Sequence, residues 1–325
     1  MGSGLKTRIN GRVILEGPLF QVNVVRELFA GTDVRVDAAA RPWTGNDVIG
    51  LLVWQSVTAA DMARLPALAG IATATTGFDN IDTVAAARRG IWVCNVPEYC
   101  VEEVADSTIA LLLALLRGVV VLDRAVGAGG WDDHAAGPLP RLSGMRLGIV
   151  GFGRIGRAVA RRAQALGIET WASDPLVPEP EIEAAGVTPA SFEDLLRQCG
   201  VVTLHLPMLK DPQHLIGARE LDLMAPGSYL INAARGALVD VKALLAALDS
   251  GRLAGAALDV LPVEPPTEEH PAPRHPRLIV TPHSAWYSLD AAREVVRRAT
   301  LSLRTALEGG EPEGVVVRGG AEPPP

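Results

Sequence analysis

Cysteine is scarce in this chain: only Cys94, Cys100 and Cys199 occur, an odd number without CxxC spacing, so neither a disulfide framework nor a cysteine-based zinc site is expected. That usage fits a reducing cytoplasm. A basic excess is missing too, since 30 Lys and Arg stand against 37 Asp and Glu for a net charge of -7, which argues against nucleic acid as a partner. Lysine is confined to Lys6, Lys210 and Lys242, an arginine bias that reflects a GC-rich genome before any recognition role. The longest uninterrupted apolar run, Ile109–Leu116, falls far short of the roughly 20 residues that cross a bilayer, so no membrane span is expected. The N-terminus, MGSGLKTRIN, has no apolar stretch ahead of a cleavage site and does not read as a secretion signal; its first four residues read as a cloning remnant. No two of His134, His205, His214, His270 and His275 stand at a metal-ligand spacing, so no metal site is expected.

What is present is the composition of a globular protein, 48% hydrophobic and 21% charged over 325 residues, a length that suggests two domains. Short apolar, β-branched runs alternate with longer helical patterns, which argues for the α/β class with parallel sheets under covering helices. Five candidate strands, at 12–15, 34–37, 48–53, 70–74 and 91–95, make a first sheet. Six more, at 147–150, 169–173, 201–206, 228–232, 255–258 and 278–280, make a second, larger one. Between them Val101 to Gly118 reads as a long, largely buried helix with carboxylates in its first turns, where the helix dipole favours them. After Pro282 the pattern is helical again, and the GGAEPPP end is too rich in Gly and Pro to pack.

The sequence LGIVGFGRIG places Gly151, Gly153 and Gly156 in GxGxxG spacing between a strand and a helix, and Asp174 follows at the end of the next strand. In that context the motif is a dinucleotide-binding fingerprint. Gly151 permits the tight turn, Gly153 lets backbone approach a pyrophosphate, and Gly156 lets the helix lie close on the strand. The acid at 174 would accept from the adenosine ribose and repel the extra phosphate of NADP, which selects NAD as cofactor. Three later segments each put a polar residue just after an apolar strand: INAARG with Arg235, LDVLPVEP with Glu264 and TPHSAWYS with His283. A cation, a carboxylate and an imidazole at strand ends are the parts that hydride transfer to a 2-oxo acid requires. Arg235 can bind the substrate carboxylate and polarise its carbonyl, His283 can donate the proton, and Glu264 can hold the imidazole in one tautomer and favour its charged form.

These motifs, with TTGFDNID and NVPEYCVEEVADST, make the chain from about 48 to 300 resemble the D-isomer-specific 2-hydroxyacid dehydrogenase family, and within it the C-terminal-binding-protein branch, through CNVP, ADST and the Trp286-Tyr287-Ser288 run. The resemblance implies two doubly wound parallel-sheet domains: a Rossmann cofactor domain over 99–285, inserted into a smaller flavodoxin-like substrate domain made of 1–98 and 286–325, with the active site in the cleft. It implies Arg235, Glu264 and His283 as the catalytic three. Arg154, Ile155 and Asp174 would be cofactor contacts, with Thr76, Leu206, Ala233 and Asp259 around the nicotinamide half. It implies a small or medium 2-oxo or 2-hydroxy acid of D configuration as substrate and a homodimer through the cofactor domain. Two departures bear on substrate: many relatives have Gly-x-Gly where this chain has Thr75-Thr76-Gly77, and often an Arg where it has Thr73. Trp54, Gln55, Thr75, Gly77 and Trp286 are the expected substrate-side residues. Two other readings compete, an NAD(H)-sensing corepressor-like interaction protein and a dehydrogenase of another oxyanion such as formate or phosphite.

Overall fold

The structure is a computed structural model and describes residues 9–208, 214–267, 272 and 275–320. The expectations for the first four residues, for His270 and for the tail beyond residue 320 lie outside the described residues. The chain divides into two compact units, one made of Met1–Tyr99 with Ser288–Pro325, the other of Cys100–Tyr287. The strands, in chain order, are β1 (Asn10–Leu15), β2 (Asp33–Ala38), β3 (Val48–Val53), β4 (Gly70–Thr73), β5 (Trp92–Cys94), β6 (Arg146–Val150), β7 (Glu169–Ser173), β8 (Thr188–Pro189), β9 (Val201–Leu204), β10 (Ser228–Asn232), β11 (Leu253–Leu258), β12 (Leu278–Val280) and β13 (Val315–Val317).

In the smaller unit six strands form one sheet in the order β13-β5-β4-β3-β1-β2. All pairings are parallel except that of β13, which runs antiparallel against β5. Leu51, Val53, Ile71 and Val93, all fully buried, point into its core. The helix Leu289–Leu307 covers the sheet with Val295, Val296, Ala299 and Leu303 on its buried stripe, the 3.6-residue spacing of an amphipathic helix. Its N-cap, Ser288, accepts from the Ala291 N–H.

In the larger unit the order is β12-β11-β10-β9-β6-β7-β8, parallel throughout. The centre strands β9 and β10 are buried at every residue, as expected of a parallel sheet covered on both faces. The chain proceeds from β6 outward to β7 and β8, then returns to β9 on the other side of β6. That reversal is the topological switch point, the place outside the carboxyl ends of the strands where open parallel sheets bind their ligands. The long helix spans Val101–Leu116 and buries Val104, Ala105, Thr108, Leu111, Leu112, Leu115 and Leu116. Thus the α/β class and parallel sheets read from the sequence hold. The short strands β8 and β13 were not expected, because two and three residues carry no period that a sequence pattern can register.

Candidate functional site

The loop after β6 is built around its glycines. A Cβ on Gly151, which sits at φ 94°, would lie 2.5 Å from the His205 carbonyl oxygen, and one on Gly156 would lie 2.2 Å from the Gly151 oxygen. Neither position admits any other residue. Gly153 is different: nothing stands within 4 Å of where its Cβ would be, and it caps the helix Arg154–Ala165. The turn therefore offers open space beside a helix N-terminus, where backbone N–H groups and the dipole favour an anion. Asp174 follows β7 and reaches back to this loop, its carboxylate accepting from the Phe152 N–H at 2.7 Å and the Leu176 N–H at 2.8 Å. Two of its four lone-pair directions remain for hydroxyl donors. Arg154 is exposed at the first helical position, while Ile155 is half-buried against the core. Leu206, two residues past β9, packs near Gly151.

His205 follows β9 beside the same loop. Its Nε2 lies 3.0 Å from Thr203 Oγ1, while its buried Nδ1 has no partner among the described residues, and burial pushes the imidazole down to about 4. It is neutral across the physiological range.

The three polar residues read as a reactive set lie in the larger unit, on three neighbouring strand ends. Arg235 follows β10 in a turn stitched by buried Asn232, whose Nδ2 donates to the Arg235 carbonyl at 2.8 Å and whose Oδ1 accepts from the Ala234 N–H at 3.0 Å. Ala233 sits inside that turn. The next residue, Gly236, has no room for a side chain, since a Cβ would lie 2.0 Å from the Leu261 carbonyl carbon. This contact presses the Arg235 turn against the segment that carries Glu264. Glu264 is itself fixed, accepting from the Leu261 N–H at 2.7 Å with Oε1 and from His283 Nδ1 at 2.7 Å with Oε2. Partial burial works to raise its carboxyl, but hydrogen bonds from His283 and from the Leu261 N–H, with the His283 and Arg235 charges, outweigh it and hold the group below the ordinary carboxylate range. An ionised carboxylate only accepts, so the proton of the His283–Glu264 bond resides on Nδ1 and Nε2 is the nitrogen left to exchange protons.

His283 has φ 51°, the left-handed region that few residues other than glycine adopt, at a cost on the order of 1–3 kcal/mol. Asp259 supplies the restraint. It is 2% exposed, and it accepts from Thr281 Oγ1 at 2.5 Å, the Ser284 N–H at 2.9 Å and the Ala285 N–H at 2.9 Å; its own carbonyl takes the His283 N–H at 2.8 Å. Sequence reasoning read Asp259 as a cofactor contact; here both carboxylate oxygens are engaged with the loop that presents His283. Asn232 and Gly236 were missed, although a short buried amide and a glycine flanking the arginine at a strand end were visible signals. Trp286 lies three residues on, half-buried, edge to face with Tyr287 at 5.4 Å.

The smaller unit carries the other expected residues. Trp54 and Gln55 follow β3, and Asn80 Nδ2 donates to both of their carbonyls, at 3.3 and 3.0 Å. Thr73, the last residue of β4, is fully buried; beyond it Thr75 reaches the Gly77 carbonyl, and Thr76 Oγ1 donates to the Val96 carbonyl at 3.2 Å.

A family model described as D-isomer specific 2-hydroxyacid dehydrogenase, NAD binding domain, matches residues 109–285. The glyoxylate reductase of Thermococcus litoralis is 42% identical over 226 residues, which is 67% of this chain and 68% of that protein. Among solved structures, a glyoxylate reductase from Paecilomyes thermophila superposes with a TM-score of 0.83 at 31% identity, covering 94% of this chain and 98% of its own. A D-lactate dehydrogenase from Aquifex aeolicus, complexed with NAD and lactic acid, superposes with a TM-score of 0.81 at 25% identity, covering 91% and 96%.

Proposed function

The chain belongs to the D-isomer specific 2-hydroxyacid dehydrogenase family and is an NAD-dependent oxidoreductase of D-2-hydroxy acids, and from that premise we propose that it reduces glyoxylate and other small 2-oxo acids, with Arg235, Glu264 and His283 as its catalytic residues. The observation that carries the assignment is the 2.7 Å bond between His283 Nδ1 and Glu264, beside the Arg235 charge. The larger unit is the cofactor domain and the smaller one the substrate domain. The open space at Gly153, the helix N-terminus behind it and the carboxylate of Asp174 fit a dinucleotide pyrophosphate and its adenosine ribose.

NAD(H), when bound, supplies or takes up the hydride. The protein's own part is binding and proton management. The Arg235 guanidinium pairs with the substrate carboxylate and polarises the C2 carbonyl, which makes that carbon more electrophilic. His283 Nε2 delivers the proton to the carbonyl oxygen, and Glu264 stabilises the charged imidazolium before the transfer while keeping the ring from rotating. In the oxidative direction the neutral ring takes that proton back. This division of labour supports turnover over the corepressor-like and formate- or phosphite-type readings.

We also assign a homodimer and a cytoplasmic location. The helix Val119–Gly127 in the larger unit buries none of its residues, and Val119, Val126 and Trp131 are exposed, Trp131 by 91%; apolar surface of this kind suits a second copy of the chain. The three cysteines are buried, with the Cys94 and Cys199 thiols pushed up to about 12 by burial. Loss of NADH absorbance with a panel of 2-oxo acids of increasing size tests the function. Glyoxylate should rank among the best substrates; absence of NADH oxidation with every member would overturn the proposal.

A further inference from the structure

Hydroxyl side chains inside a helix commonly turn back on the helix itself. Thr108 Oγ1 donates to the Val104 carbonyl at 2.7 Å, and Thr300 Oγ1 donates to the Val296 carbonyl at 2.7 Å. Ser107, beside Thr108, does otherwise: its Oγ donates at 3.1 Å to the carbonyl of Ala285, 178 residues away in sequence. A serine hydroxyl has one hydrogen to give, and this one is spent on a tertiary tie. Both residues belong to the larger unit.

What Ser107 holds is the end of the loop that presents His283. The Ala285 N–H is taken by Asp259 Oδ2 and the Ala285 carbonyl by Ser107, so both backbone polar groups of residue 285 are fixed, one from the end of β11 and one from the helix Val101–Leu116. Two residues earlier His283 stands at φ 51°, a conformation that persists only where the surroundings over-determine it. The helix that carries Ser107 is itself braced. Arg162 donates from Nε to Asp106 Oδ1 at 2.6 Å and also pairs with Glu102, and it stands on the helix Arg154–Ala165, which Gly153 of the dinucleotide loop caps. The first turns of Val101–Leu116 therefore grip the glycine-loop helix through Asp106 and the His283 loop through the next residue, Ser107.

We propose that Ser107 is a positioning residue for proton transfer: through the Ala285 carbonyl it keeps the His283 loop in the left-handed conformation that presents the imidazole, with the helix Val101–Leu116 as its mount. The inference rests on His283 being the proton donor in the 2-oxo acid reading above and deepens that reading.

Ser107→Ala removes the hydroxyl alone, and alanine, the better helix former, leaves the helix intact. Hydrogen exchange read by mass spectrometry should run about fivefold faster over residues 281–287 in this variant, the scale of one lost hydrogen bond, and unchanged over 154–165. With glyoxylate and NADH, kcat should fall about fivefold while the NADH KM stays within about twofold. In the His283→Ala background the same change should cost less than about twofold, because the group that Ser107 positions is gone. Exchange over 281–287 like that of the wild type, an unchanged kcat, or a fivefold loss that persists in His283→Ala would each overturn the inference. Should Ser107→Ala not fold, Ser107→Cys, which replaces the hydroxyl by a weak donor of similar size, serves for the same comparisons. A wild type that reduces no 2-oxo acid, or a His283→Ala protein as fast as the wild type, removes the functional reading instead, and exchange over 281–287 still decides whether Ser107 holds the loop.

Discussion

The loop that presents His283 in the larger unit and the turn after β4 in the smaller unit are fastened in opposite ways. In the first, carboxylates grip donors: Asp259 holds the Thr281 hydroxyl and two backbone N–H groups, and Glu264 holds a backbone N–H and the imidazole. In the second, neutral donors grip carbonyls, through Thr75, Asn95 and the Val96 N–H. A backbone N–H held by a carboxylate is spent on structure, whereas a carbonyl held by a hydroxyl or an amide leaves the opposite N–H available. The first arrangement suits a loop that must hold His283 in a left-handed backbone conformation.

The largest expected effect comes from removing what the carboxylate-held loop presents. His283→Ala should lower kcat/KM in both directions by roughly 100-fold or more, the usual scale for a general acid-base group, with little change in Tm. Rates near those of the wild type would show that the strained residue is a structural feature only. Next is the fastening itself. Asp259→Ala leaves the Thr281 hydroxyl and the Ser284 and Ala285 N–H groups without their acceptor, each worth on the order of 1–3 kcal/mol when buried. Activity should fall at least about tenfold and, unlike in His283→Ala, Tm should fall with it; an unchanged Tm would mean that the loop holds its shape without Asp259. The smallest effect concerns Asp174, a third carboxylate that grips backbone N–H groups. Asp174→Ala removes an anion from the site where the 2′-phosphate of NADP would stand, so the preference for NADH over NADPH should shrink by about tenfold, as steady-state kinetics with both cofactors would read. An unaltered ratio would confine Asp174 to its backbone contacts.

Much of this was legible in the sequence, and for local reasons. The glycine loop could be read because each glycine answers a constraint within a few residues, a positive φ at Gly151 and close backbone contact at Gly156. The meeting of Glu264 with His283, 19 residues apart, was read from the placement of each just after an apolar strand, and it is the sheet that brings those strand ends together. The tie from Ser107 to Ala285 could not be read, because 178 residues separate the two and a helical hydroxyl commonly turns back on its own helix. Asp259 was visible as an acid at a strand end, but its hold on the His283 loop depends on a left-handed backbone that nothing in TPHSAW announces.

The most direct test of the account is kcat/KM against pH in both directions for the wild type and Glu264→Gln. Glu264 is held below the ordinary carboxylate range, so it is ionised throughout the neutral region, and loss of reduction with rising pH cannot report its own titration. Glutamine keeps an oxygen for the Nδ1–H but removes the charge that favours the imidazolium. In Glu264→Gln the pH above which reduction fails should therefore move down, and oxidation should persist to lower pH. Limbs that stay in place in both directions would contradict the assignment of Glu264 and His283 as the proton-transfer pair.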